Sequence, residues 1–243
     1  MSCGFKYYII NGVEEELALQ KGVMIMTIDR EDLLNSILES LGRIQHIELE
    51  DIPNIDLYMD QVTTFMDSKL KNTTRYPEED KILTKTMINN YAKNDLLPPP
   101  VKKKYSKEHI LVLIFIYYYK GILSINDIQT LLNPLTDRYF QTGGELNLGA
   151  IYEEVFSLEK LEVEGLKEDI VEKFNASLET FKNVPKEDRE MLQLFSFICM
   201  LSYDVYVKRL LIEKMVDSFG SAADEKDKTG KKAGKEKNVK ESG

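Results

Sequence analysis

The sequence predicts an all-α protein, and three observations support this prediction. Apolar residues recur at helical spacing through most of the chain, and residues that favour N-cap positions precede several of these runs. No segment alternates apolar and polar residues as a half-buried strand does. Hydrophobic side chains make up 43% of the 243 residues, which is enough to bury a core. Only 7 Pro and 13 Gly are present, so a linker-dominated or collagen-like architecture is excluded.

The first 25 residues precede this helical pattern. Three glutamates follow the apolar residues 5–13, where a signal peptide would carry its cleavage site. Residues 21–23 can be encoded by codons that contain a bacterial ribosome-binding sequence, at a suitable distance from a start at Met26. We therefore expect residues 1–25 to be a non-native extension, with a disordered leader as the alternative.

Two helices and a loop are predicted next. Apolar side chains share one face of the first helix at Leu33, Leu34, Ile37, Leu38 and Leu41. Gly42 ends that helix. Asn54 is suited to cap a second helix that includes Leu57 and Tyr58, and residues 73–77 form the loop that follows.

Capping residues and prolines delimit the middle of the chain. Thr84 caps a short helix over residues 85–94. That helix must end before the prolines at 98–100, because proline restricts its predecessor and lacks an N–H group. Ser106 caps a helix that holds the ten apolar residues 110–119. A bilayer span needs about 20 such residues, so this helix is predicted to lie in the core and not in a membrane.

Further helices follow this core helix. Gly121 ends it in the left-handed conformation, and Ser124 starts a short helix that runs to Leu132, before Pro134. Another helix carries apolar residues four apart on one face at Leu166, Ile170, Phe174 and Leu178. A last long helix opens at Pro185 and runs to about Phe219. Its apolar residues cover more than one stripe, so it is buried in a bundle or covered by a second chain.

These patterns divide the chain into four parts. The leader (1–25) is followed by a helical domain (26–135) with a helix-turn-helix core at 82–133. The C-terminal helices (136–219) are suited to dimerisation. The tail (220–243) is charged, low in complexity and predicted to be disordered.

Charge is distributed unevenly along the chain. The formal net charge is −9, yet residues 69–120 hold 11 basic and 5 acidic side chains, a local balance of +6. A basic island in an acidic protein is the electrostatic signature of a surface that binds a polyanion.

The short helix and the stretch after it predict a winged helix-turn-helix that contacts DNA. Lys85, Asn89 and Lys93 lie four apart on one face, beside Thr86 and Asn90. Asparagine can pair twice with adenine in the major groove, while lysine and threonine reach phosphates or guanine. A basic run follows as the predicted wing. The candidate DNA-binding residues are Thr84, Lys85, Thr86, Asn89, Asn90, Lys93, Lys102, Lys103, Lys104 and Tyr105.

The same segment resembles a known family. Residues 88–99, INNYAKNDLLPP, are similar to the recognition-helix signature of MerR-type regulators, Leu-Arg-Tyr-Tyr-Glu-x-x-Gly-Leu-Leu-x-Pro. Their wing ends in a basic-x-Tyr element, and their next helix resembles residues 121–132. This chain departs from the signature at Asn89, in place of arginine, and at Asp95, in place of glycine. Residues 27–181 also closely resemble an uncharacterised family of Gram-positive bacteria, the YkrK-like domain of unknown function.

The resemblance implies a MerR-like winged helix-turn-helix followed by a C-terminal helical region. It implies a sequence-specific transcriptional regulator that binds double-stranded DNA as a homodimer, paired through its C-terminal helices. The alternative is a non-enzymatic interaction module or oligomeric scaffold that uses the same fold without binding DNA.

Enzymatic and metal-binding signatures are missing from the sequence. There is no P-loop, dinucleotide-binding glycine pattern, zinc-protease motif or nucleophile elbow, so no catalytic residue or cofactor is predicted. His46 and His109 lack the spacing of metal ligands, and His109 is expected to be structural or solvent-facing.

Cys199 is expected to be buried. Two cysteines cannot build a disulfide framework, which favours a cytoplasmic location. Tyrosines at 117–119 are expected in the core, with an effector pocket as the alternative.

Overall fold

The computed structural model describes residues 30–43 and 46–240, so the expected leader at 1–25 lies outside the described residues. The described chain is predominantly helical, which confirms the all-α prediction. Its helices are α1 (Arg30–Arg43), α2 (Met59–Leu70), α3 (Lys85–Lys93), α4 (Lys107–Tyr119), α5 (Ile125–Tyr139), α6 (Leu148–Leu178) and α7 (Lys186–Lys240). Short 3-10 helices lie at Leu49–Asp51 and Lys71–Thr73.

A small antiparallel sheet joins two distant segments. Strand β1 (Leu57–Tyr58) pairs with β2 (Lys104–Tyr105), with Leu57 opposite Tyr105. The prediction that Leu57 and Tyr58 belong to the second helix is therefore wrong. Leu57 is buried and Tyr58 exposed, which is the strand pattern, but two residues are too few for alternation to be recognised in a sequence.

Two predicted helix ends also differ from the structure. α5 continues through Pro134 to Tyr139, because Leu135 and Tyr139 pack against the core beyond the proline. Gly121 does not adopt a positive φ. α4 instead ends in a tight turn, in which the N–H groups of Ile122 and Leu123 donate to the carbonyl of Tyr119.

The main core is built around α4. All eight consecutive residues 109–116 are buried, which confirms that this helix lies in the core. Val62 and Met66 of α2 and Ile88 of α3 contribute to the same cluster. Tyr152 and Phe156 of α6 join it as well, so this core continues across the expected domain boundary at 135/136.

A second, smaller core fixes the C-terminal helices. Ile170 and Phe174 of α6 pack against Phe197 of α7, with apolar residues of α1 around them. Arg30 of α1 donates from Nη1 to Oε1 of Gln193 at 2.6 Å. Gln193 itself is buried and donates to the carbonyl of Leu178 at 2.6 Å. These contacts hold the first half of α7 against α6.

The last helix is longer than predicted. The backbone of α7 stays helical to Lys240, so its predicted end at Phe219 is wrong, and residues 221–240 are helical where the sequence predicts disorder. Lysine and alanine are frequent in that tail and are strong helix formers. Cys199 is exposed rather than buried. No helix in the described ranges combines the length and apolar composition of a membrane span.

Candidate nucleic-acid interface

The short helix α3 is anchored at both ends and along one side. The Met87 N–H donates to the hydroxyl of the N-cap residue Thr84 at 3.2 Å, as predicted. Ile88 and Tyr91 are buried, and burial raises the pKa of the Tyr91 phenol. A helix of nine residues is marginal on its own, so these contacts keep α3 folded and set its orientation.

The end of α3 explains the departure at Asp95. Asp95 adopts a left-handed backbone with φ of 53°, and the Leu96 N–H donates back to the Tyr91 carbonyl at 2.9 Å. This is the Schellman arrangement, in which glycine is usual at the left-handed position. Aspartate tolerates that conformation better than most residues. The helix therefore ends in a left-handed turn at residue 95, although that residue is not glycine.

The outer face of α3 is polar throughout. The exposed side chains on it are Lys85, Thr86, Asn89, Asn90 and Lys93. All five are candidate residues, and the structure brings them onto one surface of the helix. In the described part of the chain, Lys93 forms no ion pair. The face therefore presents amides, a hydroxyl and ammonium groups to solvent.

The predicted wing is a tight hairpin turn. Val101 and Lys104 exchange backbone hydrogen bonds of 3.1 and 2.9 Å across Lys102 and Lys103. Both intervening lysines are exposed and have positive φ, at 51° and 64°. Two consecutive positive φ values define a type I′ turn, which prefers Asn-Gly. Lysine in this conformation costs about 1–2 kcal/mol per residue.

Two contacts connect the turn to α3. The Lys104 ammonium lies 5.2 Å from the centroid of the Tyr58 ring, a cation–π distance. Tyr58 is the N-cap residue of α2, and Asp60 in the first turn of α2 forms an ion pair with Lys85 of α3. The surface is therefore continuous from the turn, across the start of α2, to the start of α3.

Sequence reasoning missed Tyr58 and Asp60. Both are exposed, yet both stand in the acidic segment that precedes the basic island. No local motif marks either residue. The pairing of β1 with β2 places Tyr58 beside Lys104, and the packing of α2 against α3 places Asp60 beside Lys85. The signal therefore lies in the tertiary structure.

One candidate residue lies below the surface. Tyr105 is 2% exposed, so its assignment as a DNA-contacting residue is wrong. Its ring packs edge-on against His109, with centroids 5.5 Å apart, and burial raises the pKa of its phenol. Tyr105 alternates with Lys104 on the same strand, so it faces the core and anchors the base of the wing.

The junction of wing and α4 is organised by His109. Its Nδ1 accepts the Ser106 backbone N–H at 2.9 Å, so the proton of the neutral imidazole is on Nε2. The ring is 1% exposed, and Nε2 has no hydrogen-bond partner among the described residues. Burial lowers the pKa of His109 below its ordinary value of 6.5. Of the two expectations for His109, the structural role is confirmed.

Ion pairs reduce the free charge of the basic island. Lys69 pairs with Asp51 at 3.0 Å and Lys71 with Glu78 at 3.0 Å. By contrast, Lys102 and Lys103 contact no carboxylate in the described segments. Within the described residues, the surface formed by α3 and the turn therefore carries unpaired cations at Lys93, Lys102 and Lys103.

Other candidate sites receive little support. No group of three His, Cys, Asp or Glu side chains is close enough to hold a metal ion within the ranges that the structure describes. The tyrosines at 117–119 pack against the main core, as the structural reading of that cluster expects. Tyr117 also shares a hydrogen bond of 2.6 Å with Thr73.

Comparison with known proteins adds a family match for this segment. Residues 47–155 match a family described as a domain of unknown function (DUF1836). Neither a curated protein nor a solved structure matches the chain. The match is consistent with the expected uncharacterised-domain family, over a narrower range than 27–181. The match supports neither the YkrK-like name nor a MerR-type helix-turn-helix. The matched range includes every residue of the candidate interface.

Proposed function

We propose that this protein is a sequence-specific transcriptional regulator that binds double-stranded DNA through a MerR-like winged helix-turn-helix. In this proposal α3 enters a major groove, and the lysine turn at 102–103 lies against the phosphate backbone. The protein acts without catalysis or a cofactor.

The observation that carries the proposal is the continuous polar surface of α3 and the turn. It presents two asparagines, a threonine and carboxylate-free lysines on neighbouring elements. Affinity for DNA comes mainly from phosphate neutralisation, and sequence discrimination from contacts with base edges. The surface supplies both kinds of group in adjacent positions.

The strain in the turn supports the same function. Asn-Gly would form this turn without steric cost, yet the chain has Lys102-Lys103. A locally unfavourable residue is expected where function requires its side chain. Two exposed ammonium groups at a hairpin tip are suited to bind phosphates on either side of a groove.

The residues divide into two roles. Asn89 and Asn90 are the base readers, because the side-chain amide can pair with N6 and N7 of adenine. Lys93, Lys102, Lys103 and Lys104 bind phosphates. Thr84 and Thr86 stand at the N-terminus of α3, where backbone N–H groups also attract a phosphate.

A second copy of the chain is proposed as the partner of α7. The α7 stripe (Met191, Phe195, Ile198 and Val205) is 51–66% exposed at each residue and follows coiled-coil spacing. Taking roughly 150–200 Å² for a fully exposed large side chain, it offers roughly 400 Å² of apolar surface. A standard interface buries about 800 Å² per partner, so the stripe can form the centre of a dimer. Such a dimer would place two α3 helices on a palindromic site.

The same stripe favours a second candidate function. An apolar face of this size on a soluble helix marks a protein-binding surface whether or not DNA is bound. A non-enzymatic scaffold that assembles through α7 is therefore the alternative, and DNA titration separates it from the regulator.

The test is a mobility-shift titration against DNA from upstream of the protein's own gene and against random-sequence duplex. If about five phosphates are contacted, log affinity should fall with log salt at a slope of about −4 to −5. Asn89→Ala should cost about 1–3 kcal/mol of discrimination between the two DNAs. Lys103→Ala should weaken both equally and flatten the slope by about one.

A control variant and the response of binding to salt distinguish the transcriptional regulator from the scaffold. Lys182→Ala, on an exposed residue distant from the surface in sequence and paired with Glu179, should leave both affinities unchanged. Absence of salt-dependent binding to any duplex would refute the regulator and leave the scaffold.

A further inference from the structure

One carboxylate lies inside the surface proposed to bind DNA. Asp60 is in the first turn of α2 and forms an ion pair with the Lys85 ammonium of α3. Its side chain is 75% exposed, and that of Lys85 is 59% exposed. Two residues earlier, Tyr58 carries the Lys104 ammonium of the wing on its ring. Asp60 is therefore placed between the helix proposed for the groove and the turn proposed for the backbone.

The ion pair contributes little to folding. Exposed pairs contribute little to stability, because water screens them and two long side chains lose freedom. Asp60 can stabilise α2 through the helix dipole at its first turn, but that role does not require contact with Lys85. The main effect of the ion pair is that it neutralises one positive charge on this surface.

A paired lysine does not act as a free cation toward DNA. Binding to phosphate gains affinity by releasing the counterions condensed on DNA. A phosphate placed at Lys85 would also meet the Asp60 carboxylate and be repelled by it. Lys85 is therefore withheld from the phosphates of any sequence, whereas Lys93 and the turn lysines are available.

We propose that Asp60 is a specificity-determining residue, which neutralises Lys85 and so lowers the affinity for non-specific DNA. The inference rests on the proposed DNA-binding function, and it removes Lys85 from the DNA contacts that the sequence predicts. Removing the carboxylate adds a phosphate contact that every sequence can satisfy. Non-specific affinity then rises more than affinity for the preferred site, and discrimination falls.

The test is a double-mutant cycle with random-sequence duplex, in which the slope of log affinity against log salt is measured. Asp60→Asn should steepen the slope by about 0.9, the value for one additional phosphate. Lys85→Ala alone should leave the wild-type slope unchanged. The double variant, with both substitutions, should return the slope to the wild-type value.

Two control variants isolate the effect. Asp67→Asn removes the same charge from an exposed position two turns further along α2 and should leave the slope unchanged. Lys93→Ala removes a lysine of α3 that has no carboxylate partner and should flatten the slope by about 0.9. Circular dichroism of each variant checks that α2 and α3 remain folded.

The outcomes distinguish this inference from the proposed function. A wild-type protein that binds no duplex refutes the proposed function, and the inference with it. If the wild type binds, an Asp60→Asn slope equal to the wild-type slope refutes the inference alone. A slope that Lys85→Ala flattens in the wild-type background also refutes it, because Lys85 would then already bind phosphate.

Discussion

Helices α3 and α7 each bury one side and expose the other, but their exposed sides have opposite chemistry. α3 buries Ile88 and Tyr91 and presents only polar and charged groups to solvent. α7 buries Phe197 and Val216 and leaves large apolar side chains in water. A hydrated polyanion fits the first surface, and another protein surface fits the second.

The difference indicates two separate interactions. Phosphate binding depends on charges that stay hydrated until contact, so a DNA surface has no need of exposed apolar groups. Apolar exposure is unfavourable by about 25 cal/mol per Å², and a partner removes that cost. We therefore expect substitutions on α7 to change assembly and substitutions on the wing to change DNA binding.

The largest effect is expected from Phe195→Lys. A charge in the centre of the α7 stripe occurs twice in a symmetric dimer, and loss of one central aromatic residue costs about 2 kcal/mol or more. The dimer dissociation constant should therefore rise by at least roughly a hundredfold, as measured by analytical ultracentrifugation. Met215→Lys, nearly half a turn around the helix from Phe195 and 71% exposed, should have no such effect. Equal dimerisation of wild type and Phe195→Lys would exclude the stripe as the interface.

Replacing Lys102-Lys103 by Asn-Gly should have opposite effects on stability and binding. The new residues fit a type I′ turn without strain, so the thermal unfolding temperature should rise. Two phosphate contacts are lost, so the salt slope of DNA binding should flatten by about 1.8. Lys102→Gln together with Lys103→Gln removes the charge but keeps the strain, and it should flatten the slope without raising the unfolding temperature. Unchanged binding by both variants would show that the turn does not contact DNA.

His109→Gln should change how stability depends on pH. Because burial lowers the pKa of His109 in the folded protein, protons bind the unfolded chain first as the pH falls below 6.5. The free energy of unfolding should then decrease as the pH falls through 6.5 toward the lowered pKa, and it should be fully retained only well above 6.5. Glutamine can still accept the Ser106 N–H in a capping box but does not titrate.

The measurement is urea unfolding of both proteins from pH 5 to pH 8. The two curves should converge as the pH falls, since only the wild type carries the histidine contribution. Parallel curves over this range would show that His109 does not titrate as its burial implies.

The smallest effect is expected from Asp95→Gly. Glycine adopts the left-handed conformation of residue 95 freely, but it also increases the entropy of the unfolded chain. The net gain should be a few tenths to about 1 kcal/mol, measured by urea unfolding. Glu172→Gly, in the middle of α6, is the control and should destabilise the protein by about 1 kcal/mol. A loss of stability in Asp95→Gly would show that the aspartate side chain itself holds this turn.

Local patterns in the sequence predicted the helical parts of the interface. The cap at Thr84 and the polar face of α3 follow from helical periodicity and capping chemistry, which act over four residues or fewer. The stretch at 102–104 was recognised by its charge and by its place after the proline turn. These features depend on residues that are close together in the chain, so they can be predicted from the sequence.

Contacts between distant segments could not be predicted in the same way. The β1–β2 pairing joins residues 57–58 to 104–105, and the packing of α2 against α3 places Asp60 beside Lys85. Tyr105 is buried in the main core. Which apolar side chains of α7 are exposed depends on which side of the helix packs against α5 and α6. The sequence of α7 indicates only that apolar residues occupy more than one face of the helix.

The sequence by itself determined an all-α chain with a capped short helix, a basic segment and an apolar core helix. Propensity, capping and periodicity depend on residues within a turn or two of each other, so they are encoded locally. Only the tertiary structure decided which lysines are free, that Tyr105 faces the core, and which apolar side chains of α7 remain exposed. Burial and ion pairing depend on groups that are far apart in the chain, and folding alone brings those groups together.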